Sequence, residues 1–404
     1  MWTGELAAVF QDVSPRRGEC PEGARGARPE TADGFATAQQ AEPDPPRTHF
    51  VRSVPPRGDK SRRLGCRLIP QPVLDLFSNF WVALFAKVAL VALLIPVIGM
   101  IIGFAEMKLS AKMQSRVGPY FAGGRWGWAQ LIADGVKFFQ KEDLVPDKAD
   151  RFVFKMAPAV VLVGTVALFV VIPFGPGLIF RDLSVGIFYA LAISSLSTVG
   201  VLMAGWSSGN KYSLMGGLRA AGQLIAYELP LVLAAVGAVI MAGTMSMAGI
   251  VEAQINAGYP FVLLQFVGFA IFMIAALAEL SRIPFDLPFA ESELVMGFVT
   301  EYTGFRFLFF FLAEFANMFT ISAIAATLFL GGYWLPGVPG DVLEFAGPVI
   351  LIGKVFLLCF VMIWFRWTFP RFREDQLQRM AWRWLIPLAL LNIVLTGIFK
   401  VVLS

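Results

Sequence analysis

The chain has 404 residues, of which 57% are apolar and 15% charged, with a mean hydropathy of +0.68 and a formal net charge of +4. That balance cannot cover a water-exposed surface, and it excludes a large aqueous domain anywhere after about residue 80. One histidine (His49) and three cysteines (Cys20, Cys66, Cys359) exclude a haem, iron–sulfur or zinc site in the hydrophobic region, where Cys359 is the sole thiol; redox chemistry there needs a cofactor held by another subunit.

Residues 1–79 are rich in Arg, Pro, Gly, Ala and Glu, with runs such as PDPPR and PPRGDKSRR, and acids and bases nearly cancel. Such a segment cannot bury a core, has no short apolar stretch typical of a secretory signal, and reads as a disordered N-terminal extension. From Phe80 onward, apolar runs long enough to cross about 30 Å of hydrocarbon recur. The reading is all-α: a polytopic membrane domain over 80–404 with about eight transmembrane helices near 80–104, 152–173, 183–205, 217–243, 259–280, 305–332, 343–367 and 383–402.

Connection 105–151 carries Lys108, Lys112, Arg116, Arg125, Lys137, Lys141, Lys148 and Arg151, and connection 368–383 carries Arg371, Arg373, Arg379 and Arg383, whereas 244–258 and 333–342 carry no Lys or Arg. By the positive-inside rule the odd-numbered connections face the cytoplasm and both termini lie outside. Arg57, Lys60, Arg62, Arg63 and Arg67 then sit on the wrong side of the first span. Two readings remain open: synthesis begins near Val73 at a non-Met codon, which makes the upstream residues a mis-assigned start, or a disordered tail is translocated.

Within the first connection, 126–141 (WGWAQLIADGVKFFQK) places Trp128, Leu131, Ile132, Val136 and Phe139 on one helical face and Gln130, Asp134, Lys137 and Lys141 on the other. This spacing predicts an amphipathic interfacial helix, either a surface anchor or the roof of a cavity opening from the bilayer.

Ionisable groups at bilayer depth cost several kcal/mol unless paired or hydrated, which makes them functional candidates. Glu228 lies in the fourth span two residues before Pro230, Glu279 and Arg282 are three apart at the end of the fifth, Glu314 and Asn317 share that spacing in the sixth, and Lys354 sits near the middle of the seventh. The set suits proton relay through buried carboxylates; pairs such as Glu279 with Arg282, or Glu314 with Lys354, are the structural alternative. The fifth connection crowds Asp286, Glu291, Glu293 and Glu301 around one cation, Arg282, and its prolines argue for a fixed loop that takes up or stores protons rather than a merely solvated one.

At this density of motifs the chain resembles a known family. EMKLSAKMQSRVGP (106–119), QLIADGVKFFQKE (130–142), GWSSGNKYSLMGGLRAAGQLIAYELPL (205–231), AELSRIPFDLPFAESELVMGFVTEYTG (278–304), AEFAN (313–317) and PRFREDQL (370–377) are similar, in order, to the H-type, quinone-site membrane subunit of the proton-pumping NADH:quinone oxidoreductase, respiratory complex I. The resemblance covers about residues 80–404. It implies a bacterial-type plasma-membrane subunit, not catalytic alone, between the peripheral and membrane arms of the complex, with quinone as substrate. It also implies that iron–sulfur clusters, FMN and NADH belong to partner subunits, and no nucleic acid is expected as a partner.

Residue by residue, the resemblance assigns Glu106, Lys108, Arg116, Asp134, Lys137, Arg282, Asp286, Glu291, Glu293 and Arg371 to the quinone chamber and its cytoplasmic loops. It assigns Glu228, Glu279, Glu301 and Glu314 to a carboxylate path toward the membrane interior, to which the intramembrane Lys354 is added from the residue scan. Four positions depart from the family pattern: Met107 for Arg, Tyr120 for Asn, Phe289 for Glu and Glu374 for Tyr. They bear on the headgroup contacts and the proton route, and fit a second-copy or specialised form. A hydrogenase membrane anchor, a complex I-like enzyme with another donor, and a stand-alone secondary transporter are the competing readings.

Overall fold

In hydrocarbon, a long apolar run satisfies its own backbone only as a helix, and the apolar runs are helical here. The computed structural model describes residues 80–338 and 340–403; the expectations for 1–79, both disorder and start site, lie outside the described residues. Seven helices are long and apolar enough to cross a membrane: α1 (Phe80–Met113), α3 (Arg151–Leu168, extended by a 3-10 turn to Val171), α4 (Gly186–Ser207), α5 (Lys211–Ala242), α9 (Gly304–Phe329), α10 (Gly340–Thr368) and a final one. The last is built from α11 (Glu374–Arg379), a π-helical segment Met380–Leu385 and α12 (Ile386–Leu403). No strand occurs among the described residues, so the chain is an all-α multi-pass membrane protein.

The fifth expected span is different. The apolar run 259–280 forms only a 14-residue helix, α7 (Phe266–Glu279), about 21 Å long at 1.5 Å per residue. Upstream, Pro260 is extended and Phe261–Leu263 is a 3-10 turn, so the regular helix starts late. The buried Gln254 of α6 (Met247–Ala257) closes this irregular backbone, accepting from Phe261 N at 3.1 Å and donating to Thr327 O at 2.9 Å. The second half of α7 is enclosed by protein, with Ile271, Phe272, Ala275, Ala276, Leu277 and Ala278 all buried, whereas Leu263, Leu264, Phe266 and Val267 at and just before its start are exposed.

Close approach of α4 and α5 depends on absent side chains. A Cβ on Gly205 would lie 2.9 Å from Gly217 Cα, so the two backbones meet directly. α3 packs on α4, α5 on α7 and α12, and α9 on α1, α3 and α10.

The amphipathic helix is α2 (Gln130–Gln140), without a buried residue. Leu131 points at Gly103 of α1, and Phe138 and Phe139 meet Phe307 and Phe305 of α9 with ring centroids at 5.5 and 4.8 Å. Trp128, Ile132 and Val136 remain exposed, as an interfacial face requires.

Candidate functional site

Two helix ends of the same design frame the site. At the end of α1, Ser115 adopts a left-handed φ of 56°, with Ser115 N bonded to Lys112 O and Arg116 N to Ala111 O; Glu106 lies two turns earlier. At the end of α7, Ser281 has φ 50°, with Ser281 N bonded to Ala278 O and Arg282 N to Leu277 O. These paired bonds close the last carbonyls and turn the chain sharply off the helix axis. Arg282 therefore does not continue the helical face of Glu279, and the pairing expected from their spacing gives way to another.

The turned segment is fastened at several points. Gln223 Nε2 of α5 donates to Ala278 O at 2.7 Å and Phe285 O at 2.8 Å, and Phe372 N donates to Pro284 O at 3.0 Å. Further on, Gly297 (φ 58°) passes so close to Pro288 that a Cβ would sit 1.7 Å from the Pro288 carbonyl oxygen, so only glycine fits.

Held this way, Arg282 bridges two carboxylates. Its Nη1 donates to Glu106 Oε1 and Oε2 at 2.7 and 2.8 Å, and its Nη2 lies 3.0 Å from Glu314 Oε1 of α9. Arg366, from the end of α10, also donates to Glu106. The Arg282 and Glu106 side chains are each 7% exposed, and the Arg282 guanidinium lies over the Phe315 ring at 5.0 Å. Burial pushes the Asp286 carboxyl up to about 6, against the opposing pull of Arg371.

These groups line a cavity of about 280 Å³. Glu106, Glu279, Arg282, Asp286, Glu314 and Arg366 contribute the charge, whereas Phe289, Met296, Phe298, Phe307, Phe310, Phe311 and Phe315 make up most of the apolar wall. A cavity that combines hydrogen-bonding charged groups with aromatic surface suits a ligand with a polar head and an apolar tail. Beside Glu279 a second, smaller cavity of about 20 Å³ reaches between α3, α4 and α9.

Of the residues singled out in the sequence, Glu106, Arg282, Asp286, Glu279 and Glu314 come together around this cavity. Glu228 does not line it but lies near enough to interact electrostatically with Glu279. Glu293 belongs to an exposed cluster, 2.7 Å from Arg219 Nη1 and 3.0 Å from Arg371 Nη2. The Arg219 hydrogen bond holds its carboxyl below the usual range. Glu291 opens the four-residue helix α8 (Glu291–Leu294), and its side chain lies outside the described residues. Lys108 donates to Pro119 O and Arg116 is exposed. Asp134 and Lys137 pair with each other at 3.6 Å on α2. Glu301 accepts from Asn210 Nδ2 at 2.5 Å, away from the cavity wall.

Lys354 stands apart. Its ammonium donates to Leu330 O at 2.5 Å, Gly332 O at 2.9 Å and Trp334 O at 2.5 Å, closing the C-terminal end of α9. Leu330 is 16 residues beyond Glu314, about 24 Å along a helix, so the Glu314–Lys354 pair allowed by the sequence is replaced by Glu314–Arg282.

Sequence reasoning missed Arg366 and Arg219. Each lies at the margin of an apolar run, where a cation reads as a topology signal; neither spacing nor composition names its partner. Among the departures, Phe289 lines the cavity and packs on Phe298 at 5.1 Å, and Glu374 lies 3.8 Å from Arg219 Nε.

The family model described as NADH dehydrogenase matches residues 86–397. A protein named as the H-type subunit of NADH-quinone oxidoreductase from Geobacillus kaustophilus (strain HTA426) is 48% identical over 303 residues, covering 73% of this chain and 87% of the relative. Relatives of the same name from Anoxybacillus flavithermus (45% identity, 79% of this chain and 95% of the relative) and Anaeromyxobacter dehalogenans (45%, 74% and 77%) are also similar.

Proposed function

From the premise that this chain belongs to the H-type subunit family of NADH-quinone oxidoreductase, as a membrane subunit of that enzyme complex, we propose that its large cavity forms part of the quinone chamber and that its carboxylates couple quinone reduction to proton translocation. The observation that carries this reading is the Glu106–Arg282–Glu314 bridge in the wall of a phenylalanine-lined cavity. An isoprenoid-type tail fits the aromatic wall, and the headgroup carbonyls meet donors and acidic protons at the charged groups.

Reduction of a quinone to a quinol consumes two electrons and two protons. A single cysteine among the described residues, Cys359, buried against Ser322, cannot supply the thiolates of an iron–sulfur cluster. Membership of the family implies that the clusters, FMN and NADH belong to partner subunits, and this chain's part is to bind, orient and exchange protons. Charge arriving on the headgroup perturbs the Arg282 bridge first. Glu314, released from or drawn to Arg282, then shifts the balance at Glu279 and, through it, at Glu228. Arg282, Asp286, Glu293 and Arg371 order the loop over the chamber, while Lys108, Arg116, Asp134 and Lys137 present a face toward the peripheral arm. The excess of Lys and Arg in these connections supports a cytoplasmic position for this face, with both chain ends outside, in a plasma membrane.

Replacing Glu279 and Glu228 by Gln in the assembled complex tests the proton path. Coupled quinone reductase activity is expected to fall at least about tenfold with assembly intact; unchanged activity and coupling would remove both residues from the mechanism.

A further inference from the structure

The polar part of the wall of the small cavity of about 20 Å³ is Thr165 of α3, Ser194 and Ser197 of α4, Glu279, and Asn317 of α9; Gly164, Leu168, Ile193, Leu280 and Ile321 complete it. Its size is that of one water molecule, and it shares Ser197, Glu279, Leu280 and Asn317 with the larger cavity. Glu279 Oε2 is sealed from solvent and accepts no hydrogen bond from the protein. A buried carboxylate oxygen left so costs several kcal/mol unless something meets it.

The side chains around this oxygen have their own bonds, and those bonds fix what each can still offer. Ser197 donates to the carbonyl of Ser194 (2.7 Å), so its hydroxyl oxygen remains as an acceptor; Ser194 donates to the carbonyl of Leu191 (2.9 Å) and its hydroxyl also lies against the Glu279 carboxyl, whose Oε2 still has no protein partner. Thr165 Oγ1 donates to Asn317 Oδ1 at 2.8 Å. With its oxygen engaged, Asn317 keeps its Nδ2 protons as the donor available to the two cavities it lines.

We propose that this pocket is a built site for a single water molecule, accepting from Asn317 Nδ2 and donating to Glu279 Oε2 and a serine oxygen, and that Asn317, oriented by Thr165, is the positioning residue for it. Acceptors and a donor in this arrangement satisfy three of the water's four hydrogen-bonding directions, which is the usual number for a buried water. The inference deepens the proton-path reading and rests on it for its functional part. It gives Glu279 a solvating partner inside the bundle, beside the chamber, through which its carboxyl proton is passed on.

The test uses the assembled complex. A high-resolution structure of the wild-type complex is expected to show one ordered water within hydrogen-bonding distance of Glu279 and Asn317; a dry pocket, or a protein donor on Glu279 Oε2, would overturn the proposal. Thr165→Val keeps the side chain's shape and removes the hydroxyl that orients Asn317. Gly164→Ala takes volume from the pocket wall, with the new Cβ meeting only ordinary contacts at 3.6 Å (Ile193 O) and 3.7 Å (Leu196 Cβ), so this second variant is expected to fold. In both, the infrared carboxyl band of Glu279, identified by its loss in Glu279→Gln, is expected to exchange in D2O several-fold more slowly, and kcat to fall about three- to tenfold with KM for quinone unchanged. Wild-type exchange in both variants overturns the positioning role. An ordered water together with a fully coupled Glu279→Gln complex separates the two ideas: the site stands and the proton-path reading falls.

Discussion

Polar groups at the cavity end of the bundle and those at its opposite end are closed in different ways. Around the cavity, Arg282 and Arg366 share Glu106, Glu314 depends on Arg282, and one oxygen of Glu279 has no protein partner. At the other end, the polar side chains buried between helices close on backbone carbonyls or on one another. Lys354 caps α9 through three carbonyls, and Lys400 caps α5 through Ile240 O at 2.5 Å and Met241 O at 3.3 Å. Gln265, Asn392 and Thr396 bond among themselves between α7 and α12. A saturated polar group in a membrane is a fastener; groups sharing too few partners are the ones a ligand or a proton can rearrange.

The sharpest way to break this comparison is Arg282→Leu, which leaves Glu314 without its cation and Glu106 with Arg366 alone. Removing one partner of a buried ion pair costs about 3–5 kcal/mol, so the complex is expected either to fail to assemble or to lose at least about 100-fold of its quinone reductase activity. Native electrophoresis and the reductase assay read the two outcomes, and near-normal activity would show that the bridge is dispensable. Arg282→Lys keeps the charge without the two-pronged geometry and is expected to retain assembly with reduced rate.

Lys354→Met sharpens the other side. Three carbonyls lose their donor, at a cost of about 1–3 kcal/mol, and the thermal midpoint of the purified complex is expected to drop while coupled turnover measured well below that midpoint is retained. A Lys354→Met complex with wild-type stability and abolished proton coupling would instead put this lysine in the proton path.

The smallest effect concerns Asp286, whose folded-state carboxyl titrates at about 6, above its ordinary value. A raised carboxyl favours the protonated, folded form, so its contribution to stability is present at acid pH and lost as pH rises through about 6. The thermal midpoint of the wild type is therefore expected to fall slightly more between pH 5 and pH 7.5 than that of Asp286→Asn; identical pH profiles would contradict the assignment.

Much of this was legible in the sequence, because membrane burial makes apolar length and rare charge unusually informative. Glu279, Arg282, Asp286 and Glu314 stood out as charges near or within apolar runs, Glu106 came from the family resemblance, and all five line one cavity. What stayed hidden is what depends on backbone turns and on partner choice. The helical spacing of Glu279 and Arg282 predicted a pair, but the left-handed Ser281 breaks that face and sends Arg282 to α1 and α9. The apolar run 259–280 gave no sign that only 14 of its residues form an α-helix, since Pro260 and the neighbouring glutamines act through tertiary bonds. Lys354 looked like a relay member because its three acceptors are carbonyls, which leave no trace in side-chain patterning.

The central claim, that quinone occupies the phenylalanine-lined cavity with its head at the Glu106–Arg282–Glu314 bridge, is tested most directly by photoaffinity labelling of the assembled complex with a quinone carrying its photoreactive group on the ring. Peptide mapping is expected to place the label within 279–317 or around Glu106 and Arg366, competed by native quinone and weakened in Arg282→Lys. Competed labelling confined to residues remote from this cavity, unaffected by Arg282→Lys, would contradict the account.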